Sequence, residues 1–215
     1  MSELHELLER ASVYRFLSLA FMALDKQRPD QLRAIASELP EEWRSPVGRL
    51  VDMATDAGLE GQYHRLLGAQ KGCPCCESDY LPEAACTKGV VLSDIAGFYR
   101  AFGFDNSLAC REAPDHIAVE LSFLSFLAFK ESFTRFSGRV EDAEVCHEAE
   151  ITFLCDHFSR WLDLFCSRLS DLSGDGFYGM ASRLAQAMLS PLIEGAMKSD
   201  ERRRHSTRSA AAKAV

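Results

Sequence analysis

The segment from Glu112 to Phe136 constrains the fold more than any other part of the chain. Ile117, Leu121, Leu124 and Ala128 recur at helical spacing, while Phe123, Phe126, Leu127 and Phe129 cover most of the remaining circumference. A helix apolar nearly all round belongs at the centre of a domain, so the rest of the chain has to wrap it. Its entrance is different in character, because Glu112-Ala-Pro-Asp-His116 precedes the apolar rod. Pro114 suits the first helical position, where its missing N–H is no loss, and Asp115 in the first turn would face the positive end of the helix dipole. The spacing predicts a helix over 114–136 with a charged mouth.

Helical periodicity continues on both sides, and β signals are nearly absent. Leu4, Leu7, Leu8, Ala11, Tyr14, Leu17, Phe21 and Leu24 form one stripe over Glu3 to Leu24. Shorter helices are expected from Pro29 to Ser37, Pro46 to Ala57 and Leu59 to Leu67, the last closed by Gly68. Gly68 to Gly89 holds Pro74, Pro82 and four cysteines and reads as a loop. Helix resumes over Leu92 to Phe102 and stops at Gly103, a natural left-handed cap. Beyond the central rod and a turn at Ser137-Gly138, one long helix is expected over Glu141 to Leu169, and a last one over Phe177 to Met197 with Pro191 placed to kink it. The expected fold is all-α, a single-domain helical bundle of about seven to nine helices over residues 1–197. The link 104–113 is the expected hinge, and 198–215 the expected basic, disordered tail.

With 47% hydrophobic and 26% charged residues among 215, the chain can bury a real core. No window reaches the roughly 18 uninterrupted apolar residues of a membrane span, and the first residues are acidic where an export signal would be basic. The expected location is therefore the cytoplasm, without stable membrane insertion and with the eight cysteines as reduced thiols. The formal charge of −8 is uneven: segment 198–215 carries six basic residues against two acidic, a surplus of four, so the body holds −12. Such a body argues against nucleic acid, whose affinity rests on phosphate neutralisation, and suits an arginine-bearing peptide or simply solubility.

His116 and Glu120 lie four residues apart on one helical face, with Asp115 and Glu112 beside them. Carboxylates gathered round one imidazole suit the capture of a guanidinium. The same residues also read as ordinary structure, with Asp115 tuning the dipole, His116 packed in the core and Glu120 balancing it. Cys73, Cys75, Cys76 and Cys86 offer four soft ligands in one loop, for zinc, for redox sensing, or as plain thiols. Glu144-Val-Cys-His147 matches Glu-x-x-His, but a di-iron site needs a second copy of that motif and none is present. His64, His147 and His157 read as surface or packing residues. No nucleophile elbow, P-loop or dinucleotide-binding turn appears, so no catalytic residue is assigned. The alternative reading is a helical metalloprotein or metal-dependent enzyme built on the Cys73–Cys86 loop or on His116 and Glu120.

Four motifs stand in order: Glu77-Ser78-x-Tyr80; Asp94-Ile-Ala-Gly-Phe-Tyr99-Arg-Ala-Phe-Gly-Phe104; Glu112-x-Pro114-Asp115-His116 followed by Glu120-Leu121 and Phe123-Leu124; and Phe153-Leu154-x-x-His157-Phe158-x-x-Trp161. Together they resemble the TorD/DmsD/NarJ family of cytoplasmic chaperones that serve the maturation of molybdenum-containing oxidoreductases. The resemblance implies a TorD-like all-α fold without catalytic activity or a cofactor of its own. It implies binding of the twin-arginine signal peptide and of the apoenzyme of a dimethyl sulfoxide reductase-type partner, until its molybdopterin is inserted and before export. The implied signal-peptide-binding residues are Glu112, Pro114, Asp115, His116, Glu120, Tyr99, Glu77 and Trp161. A monomer, or a dimer exchanging helices at 104–113, fits the same resemblance. Cys-Pro-Cys-Cys before Glu77 departs from the family pattern, which usually has an apolar or Pro-Tyr step there.

Overall fold

The structure, a computed structural model, describes residues 3–23, 27–68, 72–81, 88–106 and 112–213, with side chains to residue 205. Nine α-helices lie in these stretches: α1 (Glu3–Phe21), α2 (Arg28–Ala36), α3 (Arg44–Met53), α4 (Leu59–Leu66), α5 (Lys88–Phe102), α6 (Ile117–Phe136), α7 (Val140–Asp156), α8 (Leu162–Ser173) and α9 (Phe177–Lys213). No β-strand occurs among the described residues, so the all-α bundle is the observed fold. None of these helices is long and apolar enough to cross a membrane.

The first half of α6 is the axis of the molecule. Every residue from Ile117 to Leu124 is buried, and α1 makes the most extensive helix–helix contact against it. The second half of α1 answers in kind: Val13, Tyr14 and Phe16 to Phe21 are all buried, so the amphipathic stripe of its first turns widens into a helix covered on every side. Where the helices cross, Ser18 donates to the Ala118 carbonyl at 2.8 Å and pairs with the Ser122 hydroxyl at 2.8 Å, which satisfies small polar groups inside an apolar contact. Gly103 (φ 71°) ends α5 as its sequence suggests, and Gly138 (φ 74°) makes the tight turn from α6 to α7.

Three expectations are corrected. The long helix over Glu141 to Leu169 is two helices, broken by a single 3₁₀ turn at Phe158–Arg160. His157 (φ −116°, ψ −74°) and Trp161 (φ −137°) leave helical geometry there, and His157, Phe158 and Trp161 are all buried. Secondly, α6 is not central throughout: Phe129, Phe133 and Phe136 are 57%, 55% and 78% exposed. Thirdly, helix does not stop at Met197 but runs to Lys213, and the basic segment continues α9. Its second turn lies along α7, with Arg203 3.7 Å from Glu148 and Arg204 3.9 Å from Asp156. Of the expected hinge, residues 107–111 lie outside the described residues.

Candidate functional site

The chain enters α6 through a turn followed by an extended step. Pro114 and Asp115 form the turn, and His116 (φ −76°, ψ 138°) is the N-cap, its Nδ1 accepting the Ala118 N–H at 3.2 Å. The helix thus starts at Ile117, three residues later than its sequence predicts, because the imidazole takes the capping role and Pro114 is left in the turn. Asp115 then sits just outside the first turn. It is free to reach sideways.

What it reaches is the cysteine-bearing loop 72–81. The Cys75 carbonyl accepts the Ile117 N–H at 2.8 Å, the Glu77 N–H donates to the Asp115 carbonyl at 2.9 Å, and Cys76 and His116 form an antiparallel bridge. The Asp115 carboxylate closes this clamp by accepting the Ser78 hydroxyl at 2.6 Å and the Ser78 N–H at 3.2 Å. Tyr99 steadies the turn from behind, donating its hydroxyl to the Pro114 carbonyl at 2.7 Å.

Beneath the clamp lies a sealed acidic cluster. Glu77, Asp115 and Glu120 are fully buried, and Trp161 is nearly so. The group of opposite polarity set against them is His157, whose Nδ1 lies 3.0 Å from Glu77 and whose Nε2 lies 3.3 Å from the exposed carboxylate of Asp94. No arginine or lysine bridges Glu77, Asp115 or Glu120 among the described residues. Glu120 has Glu77 and Trp161 as neighbours, yet no hydrogen bond of ordinary geometry reaches either of its oxygens. Burial, and then the charges of Glu77 and Asp115, hold its carboxyl well above the usual carboxylate range, so its neutral form is favoured. Burial likewise lowers the His116 pKa, against the opposing pull of Glu112 and Asp115.

Outside the clamp a cleft of about 740 Å³ opens between α4, the loop and the α6 entrance. Tyr63, Leu67 and Pro74 form its apolar wall, and Glu112, Asp79 and His116 its polar one. The predicted residues therefore separate into two sets. Glu112 and His116 line the cleft, with half-buried Pro114 in the turn beside them, whereas Asp115, Glu77, Glu120 and Trp161 are sealed inside and Tyr99 is buried behind the turn. Asp79, exposed in the cleft, was not singled out from sequence; its place two residues after Glu77 in the same motif was the available signal.

The loop thiols are held in their protonated form. Cys73 and Cys75 are buried, Cys73 Sγ lies 3.2 Å from the Tyr80 hydroxyl, and Cys75 Sγ faces the Leu67 carbonyl at 3.7 Å. Burial pushes the Cys75 thiol up strongly, and burial together with Asp115 pushes that of Cys76 up to about 12. Cys86, the fourth cysteine of the expected cluster, lies outside the described residues.

A second buried acidic cluster joins α1, α6 and α7, and sequence reasoning missed it. Arg10 reaches Glu131 at 3.0 Å and Glu150 at 3.0 Å, Tyr14 donates to Glu150 at 2.8 Å, and Arg135 holds the other oxygen of Glu131 at 3.0 Å. His147 stands 3.4 Å from Glu131. Among the described residues, Glu131, His147 and Glu150 are the one trio whose metal-ligating atoms come within 4.8 Å of each other, but Arg10 already neutralises both carboxylates there. Glu144, of the Glu-x-x-His motif, faces solvent instead.

The comparisons with known proteins agree with this architecture. The profile of the nitrate reductase delta subunit family matches residues 25–167. Over 79 residues, 37% of this chain, the chain is 37% identical to the chlorate reductase assembly chaperone protein of Ideonella dechloratans and 38% identical to the selenate reductase assembly chaperone protein of Thauera selenatis, covering 40% of each. It is 32% identical over 78 residues, 36% of this chain, to the chaperone protein TorD of Vibrio cholerae, covering 34% of it. The matched stretch thus spans well under half the length of these relatives. Among solved structures, a chain described as a redox enzyme maturation protein from Archaeoglobus fulgidus superposes with a TM-score of 0.54 over 88% of this chain and 94% of its own, at 19% identity, a likeness of fold.

Proposed function

We propose, since this chain belongs to the nitrate reductase delta subunit family of TorD- and NarJ-type maturation chaperones, that it serves a molybdopterin-containing oxidoreductase: it binds that enzyme's twin-arginine leader and apoenzyme in the cytoplasm during cofactor insertion and before export. One observation carries the peptide part of this reading. The cleft at the α6 entrance sets two carboxylates, Glu112 and Asp79, and the ring of His116 against the apolar wall of Tyr63, Leu67 and Pro74. A leader guanidinium matches a carboxylate in bidentate fashion, and the apolar residues after it match the wall. The sealed acids act one layer deeper. Asp115 grips the loop that forms one side of the cleft, while Glu120, Glu77 and Trp161 support the entrance from within. The role requires no catalytic residue.

Calorimetric titration at low salt with a twin-arginine leader peptide, and with its twin-lysine counterpart, tests this. The arginine peptide binds, the lysine peptide binds more weakly because an ammonium cannot fork across a carboxylate, and Glu112→Gln or Asp79→Asn weakens the arginine peptide by roughly tenfold without moving the melting temperature. If neither peptide binds, or if both variants bind as wild type does, the cleft is not the leader site.

A further inference from the structure

The exposed half of α6 has no role in the leader cleft, and it is the least expected surface of the molecule. Phe126, Phe129, Phe133 and Phe136 follow at steps of three, four and three, which at 3.6 residues per turn places them within roughly 80° of arc. Phe126 and Phe129 line a groove of about 640 Å³ between α1, α2 and α6 that adds Leu8 and Ile35 to the apolar face, and Phe133, Phe136 and Val140 are exposed beyond it. Phenylalanine rings each carry about 150–250 Å² of buriable surface, so this face offers on the order of 500 Å² of apolar area. That is about the apolar share of a standard interface, which takes roughly 800 Å² from each partner.

Its borders carry opposite charges. Glu9 and Glu38 line the α1–α2 side, where His5 lies 3.2 Å from Glu9 and the partly buried Arg15 is turned to Ser122 at 3.5 Å. On the other side Lys130 lies 5.5 Å from the ring centres of Phe102 and Phe126, and the Arg139 guanidinium lies 6.0 Å from that of Phe133. A cationic leader would be attracted by one border and repelled by the other. A second copy of the same surface is complementary to both: a two-fold axis running along α6 lays the acidic border of each chain on the basic border of its mate, with the phenylalanines facing one another between them. We infer that two chains associate through this α6 face into an isologous dimer with parallel α6 helices, in which Glu9 of each chain meets Lys130 of the other.

Sedimentation velocity of the full chain over a concentration series tests the inference. Wild type shifts from monomer to dimer as concentration rises, and the double variant Phe129→Ser/Phe133→Ser remains monomeric with an unchanged circular dichroism spectrum, since both side chains are exposed in the single chain. Glu9→Lys and Lys130→Glu each weaken association by roughly threefold to tenfold, and the two combined in one chain restore it. A wild type that is monomeric throughout the series overturns the inference. So does a dimer that survives loss of both phenylalanines, as an exchange of helices at 104–113 would. A charge-swapped pair that associates no better than its worse single variant excludes the parallel arrangement.

Discussion

Two buried acidic clusters flank the core, and they are neutralised in opposite ways. At the crossing of α1, α6 and α7, Glu131 and Glu150 are each met by guanidinium groups of the chain itself, Arg10 bridging both and Arg135 taking the remaining oxygen of Glu131. At the α6 entrance Glu77, Asp115 and Glu120 have an imidazole, a serine and the strongly raised pKa of Glu120, with no arginine on them among the described residues. A carboxylate locked by its own arginine is finished structure. A carboxylate group without one among the described residues, next to a cleft with two further acids, adds to the negative field at that cleft, and on the proposed reading this is what a leader guanidinium meets. The first cluster staples helices together, and on the proposed reading the second biases the cleft.

If that contrast is right, removing Arg10 produces the largest change. Arg10→Ala leaves two buried carboxylates without their shared partner, and stability falls by about 3–5 kcal/mol. For a domain of this size the melting temperature then drops by roughly 6–20 °C. The loss is smaller at pH 5 than at pH 8, because burial already holds Glu150 above the usual carboxylate range and without Arg10 it takes up a proton more readily. Leader affinity is untouched once the variant is folded. An Arg10→Ala protein that melts within a degree of wild type would remove the distinction between the clusters.

Asp115→Ala comes next. The clamp on Ser78 consists of two hydrogen bonds to a carboxylate, and its loss removes about 1–3 kcal/mol, partly offset by relief of the repulsion on Glu120. Loosening the loop also exposes Cys76, whose thiol has one of its raising influences in Asp115. Alkylation of the protein by a maleimide therefore accelerates, and leader affinity and melting temperature fall together. Were Asp115 simply a leader ligand, affinity would fall alone.

The sequence makes the helices legible because their apolar periodicity is strong, and the charged mouth of α6 legible because Pro114, Asp115 and His116 are polar or helix-breaking residues beside an apolar run. It does not reveal which acids face outward. Asp115 and Glu112 look alike on a helical wheel, and only the loop 72–81, distant in sequence, decides that one is sealed and the other lines a cleft. The break at His157 is hidden for the same reason: Phe158, Trp161 and Phe165 keep an acceptable helical spacing, and the bond of His157 to Glu77 sets the deviation from across the fold. Glu150, between Ala149 and Ile151, offers a readable sign of burial, but Arg10 is far away in the chain and periodicity cannot join it to Glu131 and Glu150. The exposed phenylalanines of α6 fail in the reverse sense, since composition cannot tell a core face from an interface.

Glu120→Gln separates the clusters more finely, through pH. The folded protein holds the Glu120 proton that an unfolded chain releases above about pH 4.5, so its stabilising contribution is complete below that pH and is lost as pH rises through the folded-state value. The glutamine variant keeps the shape of the neutral acid and has no proton to lose. Urea melts across pH 4 to 9 therefore show wild type losing stability relative to Glu120→Gln as pH increases, with the variant the more stable of the two at the alkaline end. Parallel curves would mean that Glu120 is ionised in the folded state and has a cationic partner after all.

His147 gives the smallest effect, and a control from the stapled cluster. The Glu131 carboxylate 3.4 Å away raises its basicity despite partial burial, and Arg10 opposes the rise. The folded state therefore binds the imidazole proton more tightly than the unfolded chain does. The stabilisation is present in full below about pH 6.5 and disappears as pH climbs through the raised folded value. His147→Gln abolishes that step, so the difference in urea midpoint between wild type and variant is larger at pH 5.5 than at pH 8.5. The side chain is 43% exposed, so solvent screens the pair and the step is modest. In the Glu120→Gln background the His147 step persists unchanged, because the two clusters share no partner among the described residues. A His147 step that vanishes in that background would show that the stapled and the outward-directed clusters titrate as one, which the distinction drawn between them forbids.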